Sequence, residues 1–232
     1  MAKKNVLFVG MLALALVFGM ALAGCSNGDD GGGDPTVKAP AVGDLPDKSG
    51  GTWVSNETAA KTLYEAILGS LNIRFLETVR SAADKDEGAE KTATSLDFVG
   101  DTAITEGLTG TVTASVHDSW STTHRTMNLD IAAKTPIVGT SGTAAAGSVW
   151  RQSRSTTGVS GGAFTQKDAY AYGITVVKDS GAAKIIYTSN TTETGDNSSW
   201  VRTGSETITV YGANDAVVWK ETYPIEKSGP ED

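Results

Sequence analysis

Three pairs of short segments with alternating apolar and polar residues constrain the fold of this chain most strongly. In each pair a stretch of turn-forming residues separates the segments: 110–117 with 126–131, 174–176 with 185–187, and 208–210 with 217–219. A period of two residues is typical of strands with one buried face, and short polar turns join such strands into antiparallel hairpins. Further strands are predicted near 94–104, 145–155 and 199–204. We therefore expect a mainly β domain, an antiparallel meander of about eight or nine strands that is curled or closed like a barrel or roll.

The turn sequences also predict which residues face each other. With the first turn centred between Trp120 and Ser121, the apolar residues of both strands fall on one side of the sheet. The same reasoning for all three hairpins predicts the following facing pairs: Ala114 with Met127, Val112 with Leu129, Ile174 with Tyr187, Val176 with Ile185, Ile208 with Trp219, and Val210 with Val217.

A single amphipathic helix is predicted over residues 56–83, before the strands. Its apolar residues recur with a period of 3.6, while Ile73 and Leu76 fall outside the apolar face. Ser55 is the expected N-cap, and Glu57 in the first turn favours the helix dipole. We expect the helix to pack on the sheet within one domain, residues 52–226, followed by a disordered tail at 227–232.

The N-terminal sequence determines where the chain is expected to reside. Lys3 and Lys4 precede an apolar run from Val6 to Ala23, which is the order of charges and apolar residues in a secretory signal. The run ends in Leu22, Ala23, Gly24 and Cys25, and these residues resemble the lipobox of bacterial prolipoproteins. The resemblance covers residues 1–25. It implies cleavage after Gly24 and fatty acyl chains, such as palmitate and a thioether-linked diacylglycerol, on Cys25.

Two other interpretations of this segment stay open, an uncleaved membrane anchor and an ordinary signal peptide. Cys25 is the one cysteine of the chain, so it cannot stabilise the fold through an internal disulfide, and an acylation site explains its position better. We expect Cys25 and residues to 51 to form a flexible tether rich in Gly, Asp and Pro. Ser26 resembles the outer-membrane pattern of enteric lipoproteins, which favours that membrane within the cell envelope.

The charge of the chain limits its partners. Cleavage would remove Lys3 and Lys4 and no acidic residue, so the formal charge would fall from −8 to −10. Nucleic acid is therefore not an expected partner, because phosphate binding needs a basic surface. The acyl chains remain the expected membrane contact. We expect a monomer without a cofactor.

Residues that could carry chemistry are few. His117 and His124 face each other in the predicted hairpin and form a weak metal-site candidate, although a tight zinc site needs three or four ligands. No catalytic constellation is recognisable, so none of the residues is assigned a catalytic role. Trp120, at a predicted hairpin tip, is a weak binding candidate, and either packing on the turn or recognition explains it. The other tryptophans, with Tyr170 and Tyr172, are further aromatic candidates.

These observations favour an envelope lipoprotein whose β-rich domain is non-enzymatic and has a binding or structural role. The alternative is a carrier of a small apolar ligand, held in a cavity between helix and sheet. A hydrolase of envelope polymers is the third hypothesis.

Overall fold

The computed structural model describes residues 34–105, 107–158, 162–196 and 198–230. Of the chain, 57% is strand and 15% is helical, so the mainly β, antiparallel fold is confirmed. The lipobox residues Leu22, Ala23 and Gly24 and the acylation site Cys25 lie outside the described residues. None of the helices in the described part of the chain is long and apolar enough to cross a membrane.

Twelve strands and two α-helices form the described part of the chain. The helices are α1 (Glu57–Ile67) and α2 (Arg74–Lys85), with short 3₁₀ turns at Val42–Asp44 and Ala213–Asp215. The strands are β1 (Thr52–Trp53), β2 (Glu90–Lys91), β3 (Ser95–Ile104), β4 (Leu108–Trp120), β5 (His124–Ala133), β6 (Ile137–Gly139), β7 (Gly142–Ala144), β8 (Val149–Thr157), β9 (Phe164–Lys178), β10 (Gly181–Gly195), β11 (Ser199–Tyr211) and β12 (Val217–Pro230).

All twelve strands belong to one sheet. Its long strands pair antiparallel in the order β3-β4-β5-β8-β9-β10-β11-β12. The small β6–β7 hairpin bridges β4 and β9 beyond the ends of β5 and β8, and β1 pairs in parallel with β10. The strand number exceeds the prediction because β1, β2, β6 and β7 are two or three residues long, too short to show a period of two.

The predicted registers are wrong, although the predicted faces are right. Ala114 faces Ile131, Ile174 faces Ile185, and Val210 faces Trp219. Each register is displaced from the prediction by an even number of residues, and an even displacement leaves every side chain on the same face. The first turn is longer than predicted because the Ser121 hydroxyl accepts hydrogen bonds from the Thr123 and His124 amides. The third hairpin contains a bulge between Val210 and Tyr211.

The predicted single helix is two helices, with a break at residues 68–73. Gly69 and Ser70 are poor helix formers, and the Asn72 carboxamide accepts a hydrogen bond from the Arg74 amide and so starts α2. The break resets the helical phase, so Leu76 becomes buried instead of exposed. At the first helix the N-cap is Asn56 rather than Ser55, because the Asn56 side chain accepts from the Ala59 amide.

Both helices pack on one face of the sheet, here called the helix face. Helix α1 lies over β10 and β12, and α2 lies over β3, β4, β5 and β8. The Trp150 indole, at the centre of this face, donates a hydrogen bond of 3.0 Å to the Leu71 carbonyl in the break. Both side chains are fully buried, so the expected packing of the helical segment on the sheet is confirmed.

The opposite face of the sheet, here called the outer face, carries residues 34–51, which we name the N-terminal arm. Lys38 accepts a hydrogen bond from Arg151 through its carbonyl, and Leu45 is buried. Pro40 packs against Gly173, where an added Cβ would lie 2.3 Å from the proline ring. The sequence analysis assigned these residues to a flexible tether, whereas the structure packs them on the sheet. Proline and small polar residues gave no periodic signal for this packing.

The predicted disordered tail also differs from the structure. Residues 227–230 belong to β12, where Lys227 faces Arg202 and Ser228 faces Val201. These residues show no apolar alternation, but pairing with β11 satisfies their backbone groups.

A buried carboxylate links the sheet to α2. The Asp118 side chain is completely inaccessible to solvent and accepts hydrogen bonds from Arg80 on α2 and, in bidentate form, from Arg125 on β5. Burial opposes ionisation, but the two guanidinium groups outweigh it and hold the pKa of Asp118 below its ordinary value.

We predict that a chain beginning at Gly51 is less stable than one beginning at Asp34. Removing the arm exposes the surface that covers Leu45, and burial of a leucine alone contributes about 1.5–3 kcal/mol. Thermal unfolding of the two chains measures the difference. Gly173→Ala is the matched point variant, since its methyl group displaces Pro40. Equal unfolding temperatures for both chains would show that the arm contributes nothing to the folded state.

Asp118→Asn should lower the free energy of unfolding at pH 7 by about 3 kcal/mol, because it leaves two arginines without their buried anion. A carboxylate with a lowered folded pKa stabilises above its unfolded pKa of about 3.9, and this contribution disappears as the pH falls through the folded pKa. Urea unfolding should therefore show the wild type and the variant converging below about pH 4. Asp101→Asn, which removes an exposed partner of Lys134, is the control and should have a much smaller effect. A constant difference at all pH values contradicts the prediction.

Candidate functional site

A cleft of about 500 Å³ opens between α1 and the part of the helix face formed by β9 to β12. Five aromatic side chains line it, and we call it the aromatic cleft: Tyr64, Tyr172, Tyr187, Trp219 and Tyr223. Three carboxylates stand in or beside it, Glu65, Glu206 and Glu221. Its volume lies within the range of about 300–1,000 Å³ that is usual for small-molecule sites.

The floor of the cleft is a stacked pair of tyrosines. Tyr172 on β9 faces Tyr187 on β10 in the sheet register, and their rings are parallel within 7° at a centroid distance of 4.9 Å. Ile208 on β11 continues this row as the partner of Tyr187. Tyr64 of α1 meets Trp219 of β12 edge-to-face at 5.6 Å and closes one side.

The Tyr172 hydroxyl is buried without a hydrogen-bond partner. The side chain is 2% exposed, and its oxygen has no donor or acceptor in hydrogen-bonding geometry. The Tyr64 hydroxyl is near enough to interact with it electrostatically. Burial raises the pKa of Tyr172 well above its ordinary value and raises the pKa of Tyr64 to about 12. Both phenols are therefore neutral hydrogen-bond donors over the physiological pH range.

Two glutamates supply acceptors at the mouth. Glu206 accepts a hydrogen bond of 2.8 Å from the Tyr187 hydroxyl. Burial and this hydrogen bond raise the pKa of Tyr187. Glu221 accepts from the Trp219 indole at 3.0 Å, and a hydrogen bond from Tyr223 lowers the pKa of Glu221. A carboxylate can accept about four hydrogen bonds, so both groups have capacity for further donors.

The one cation that lines the cleft belongs to α1. The Lys61 ammonium lies 5.4 Å from the centre of the Trp219 ring, 2.7 Å from Glu57 and 3.5 Å from Glu221. This is a cation–π contact completed by two carboxylates. The Lys61 side chain therefore fills the cation-binding position of the cleft.

The rim of the cleft is formed by the helix break. Leu68, Asn72 and Ile73 line the mouth, together with Glu65 at the end of α1. A continuous helix over 56–83 would not present these residues in this way. The break that the periodicity missed is thus part of the candidate site.

The predicted site residues lie elsewhere. His117 forms a hydrogen bond with Asp97 and faces Asn128, whereas His124 faces Thr157. Four residues of strand, about 13 Å, separate His124 from the position opposite His117. The structure therefore contradicts the facing pair of histidines. In the described part of the chain there is no group of three or more His, Cys, Asp or Glu residues that could hold a metal ion.

The aromatic candidates have mixed outcomes. Trp120 is partly buried and packs against the core at the end of β4 rather than projecting from a turn. Tyr172 and Trp219 lie in the cleft, while Tyr170 lies two residues from Tyr172 on the same face, where its hydroxyl accepts a hydrogen bond from Arg154. Glu206 and Tyr187, which also belong to the site, had no sequence signal beyond the strand pattern.

No protein-family model matches this chain, and the chain has no match among the curated proteins or the solved structures. What the protein does therefore has to be inferred from its own residues.

Proposed function

We propose that this chain is a lipid-anchored lipoprotein of the bacterial cell envelope, with outer-membrane attachment favoured. Its β-rich domain is a non-enzymatic binding module, and the aromatic cleft receives the ligand. The observation that carries the proposal is the unpartnered Tyr172 hydroxyl among the aromatic rings of the cleft floor. A buried hydroxyl without a partner costs free energy in the unliganded protein, and a polar ligand recovers that cost.

A binding role fits the cleft better than hydrolysis of an envelope polymer. Glycoside hydrolysis by two carboxyl groups needs one of them to stay protonated as the general acid, which requires a raised pKa. The pKa of Glu221 is lowered instead, by Tyr223 and the other groups around it. The carboxylates of the cleft are therefore better suited to accept hydrogen bonds than to donate protons.

A carrier of a small apolar ligand is the second candidate. Its support is the position of the cleft between helix and sheet, with Ile208, Leu68 and Ile73 among its apolar residues. The carboxylates and tyrosine hydroxyls of the same cleft oppose it, because an apolar ligand would desolvate them without replacing their hydrogen bonds.

The anchor is tested by Cys25→Ala. We expect this variant to leave the membrane fraction and appear in the soluble fraction, because acyl chains supply the attraction that the acidic mature chain lacks. Cell fractionation with immunodetection measures the distribution, and Ser26→Ala is the control that keeps the acylation site. A Cys25→Ala variant that stays wholly with the membrane would remove the basis for lipid anchoring.

The binding role is tested by narrowing the mouth of the cleft. Native mass spectrometry of protein purified from its own membranes should detect a bound small molecule in the wild type. Leu68→Trp should reduce the bound fraction, because the larger side chain lies at the rim, whereas Val99→Trp, at an exposed residue of β3, should leave it unchanged. A wild-type protein without an adduct, or equal adducts in all three proteins, contradicts the proposal.

A further inference from the structure

The cleft combines two kinds of surface that one class of ligand needs together. Aromatic rings cover its floor and one side, and hydroxyl, amide and carboxylate groups converge on the same space from Tyr172, Glu206 and Asn72. A pyranose ring presents C–H groups on its faces and hydroxyl groups around its edge. We propose that the ligand of the aromatic cleft is a neutral saccharide and that the Tyr172 hydroxyl is the group that anchors it. This inference rests on the proposed binding function.

The position of the Tyr172 hydroxyl supports a ligand role. Its ring is held by the stack on Tyr187 at 4.9 Å and is almost completely buried, so the hydroxyl is fixed in direction before a ligand arrives. Such a fixed, unsatisfied group weakens the empty fold and strengthens binding of a ligand that supplies its partner.

The carboxylates support a ligand with several hydroxyl groups. Glu206 already accepts the Tyr187 hydroxyl, and its remaining acceptor capacity faces a space that Tyr223 also lines. A polyol donates several hydrogen bonds within one ring, so it can satisfy a carboxylate and a phenol at the same time. The tyrosine and tryptophan rings offer apolar area at low conformational cost.

Two other ligand classes fit less well. An organic cation would take the face of Trp219, but Lys61 already lies there between Glu57 and Glu221. A purely apolar molecule would leave the Tyr172 hydroxyl and the Glu206 carboxylate without partners in a desolvated site. A neutral molecule rich in hydroxyl groups avoids both difficulties.

Tyr172→Phe tests the role of the hydroxyl, and Tyr170→Phe is its matched control. The two tyrosines lie on the same face of β9, but the Tyr170 hydroxyl has a partner in Arg154 at 3.0 Å and Tyr170 does not line the cleft. Tyr172→Phe should leave the Tm equal to or above that of the wild type and weaken saccharide binding about three- to tenfold. Tyr170→Phe should lower the Tm by about 2–4 °C and leave binding unchanged. A Tyr172→Phe variant with a clearly lower Tm would show that the hydroxyl is structural and overturn its assignment as the anchor.

Isothermal titration calorimetry of the folded wild type identifies the ligand class. The probes are glucose, N-acetylglucosamine, maltose and N,N′-diacetylchitobiose at millimolar concentration, with choline and its neutral isostere 3,3-dimethylbutan-1-ol as the competing classes. Binding of at least one saccharide, weakened in both Tyr172→Phe and Leu68→Trp, supports the inference. Binding of choline or of the dimethylbutanol without any saccharide overturns the saccharide class while leaving a binding cleft. Absence of binding by every probe overturns the saccharide inference, and the native mass spectra then decide separately whether the cleft holds any ligand.

Discussion

The hydrogen bond from the Trp150 indole to the Leu71 carbonyl is the contact on which the arrangement of helices and sheet depends. It joins the central strand β8 to the break between α1 and α2, and the Phe75 ring packs on the same indole at 4.4 Å. Because a helix break leaves backbone carbonyls unsatisfied, a buried donor at this place fixes the break on the sheet. With the break fixed, α2 covers β3 to β8 and α1 covers β10 and β12, and the uncovered space beside α1 is the aromatic cleft.

The sequence was a good guide to faces and a poor guide to registers. Alternation decides which side of a strand is buried, and Ala114, Ile174 and Ile208 are all buried as predicted. Register depends on turn geometry, which a few side chains determine, such as the Ser121 hydroxyl that lengthens the first turn. The N-terminal arm was missed for a related reason. Its contacts with Gly173 and Arg151 are long-range and follow no local period.

The candidate site was harder to predict than the fold. Its floor and walls come from β9, β10, β11 and β12 and from α1, and its rim comes from a helix break. Tyr187 and Trp219 were expected only as residues of the apolar face, and that expectation holds, since each is 7% exposed. Whether a buried aromatic residue lines a cleft or fills a core depends on the covering helix. The position where α1 ends is decided by Gly69, Ser70 and Asn72, which an average over helical turns does not detect.

The two faces of the sheet deal with the same problem, a broad surface that needs cover, in opposite ways. On the outer face, Ala169, Ala171 and Gly173 leave room for the N-terminal arm, which buries them completely or nearly so. On the helix face, the large side chains Tyr172, Tyr187 and Trp150 carry the helices but leave one hydroxyl without a partner. A fold that satisfies the Trp150 indole and Asp118 at similar depth does not lack the means to satisfy a phenol. The exception lies where the helices leave the sheet open, which is the place where a ligand can supply the missing partner.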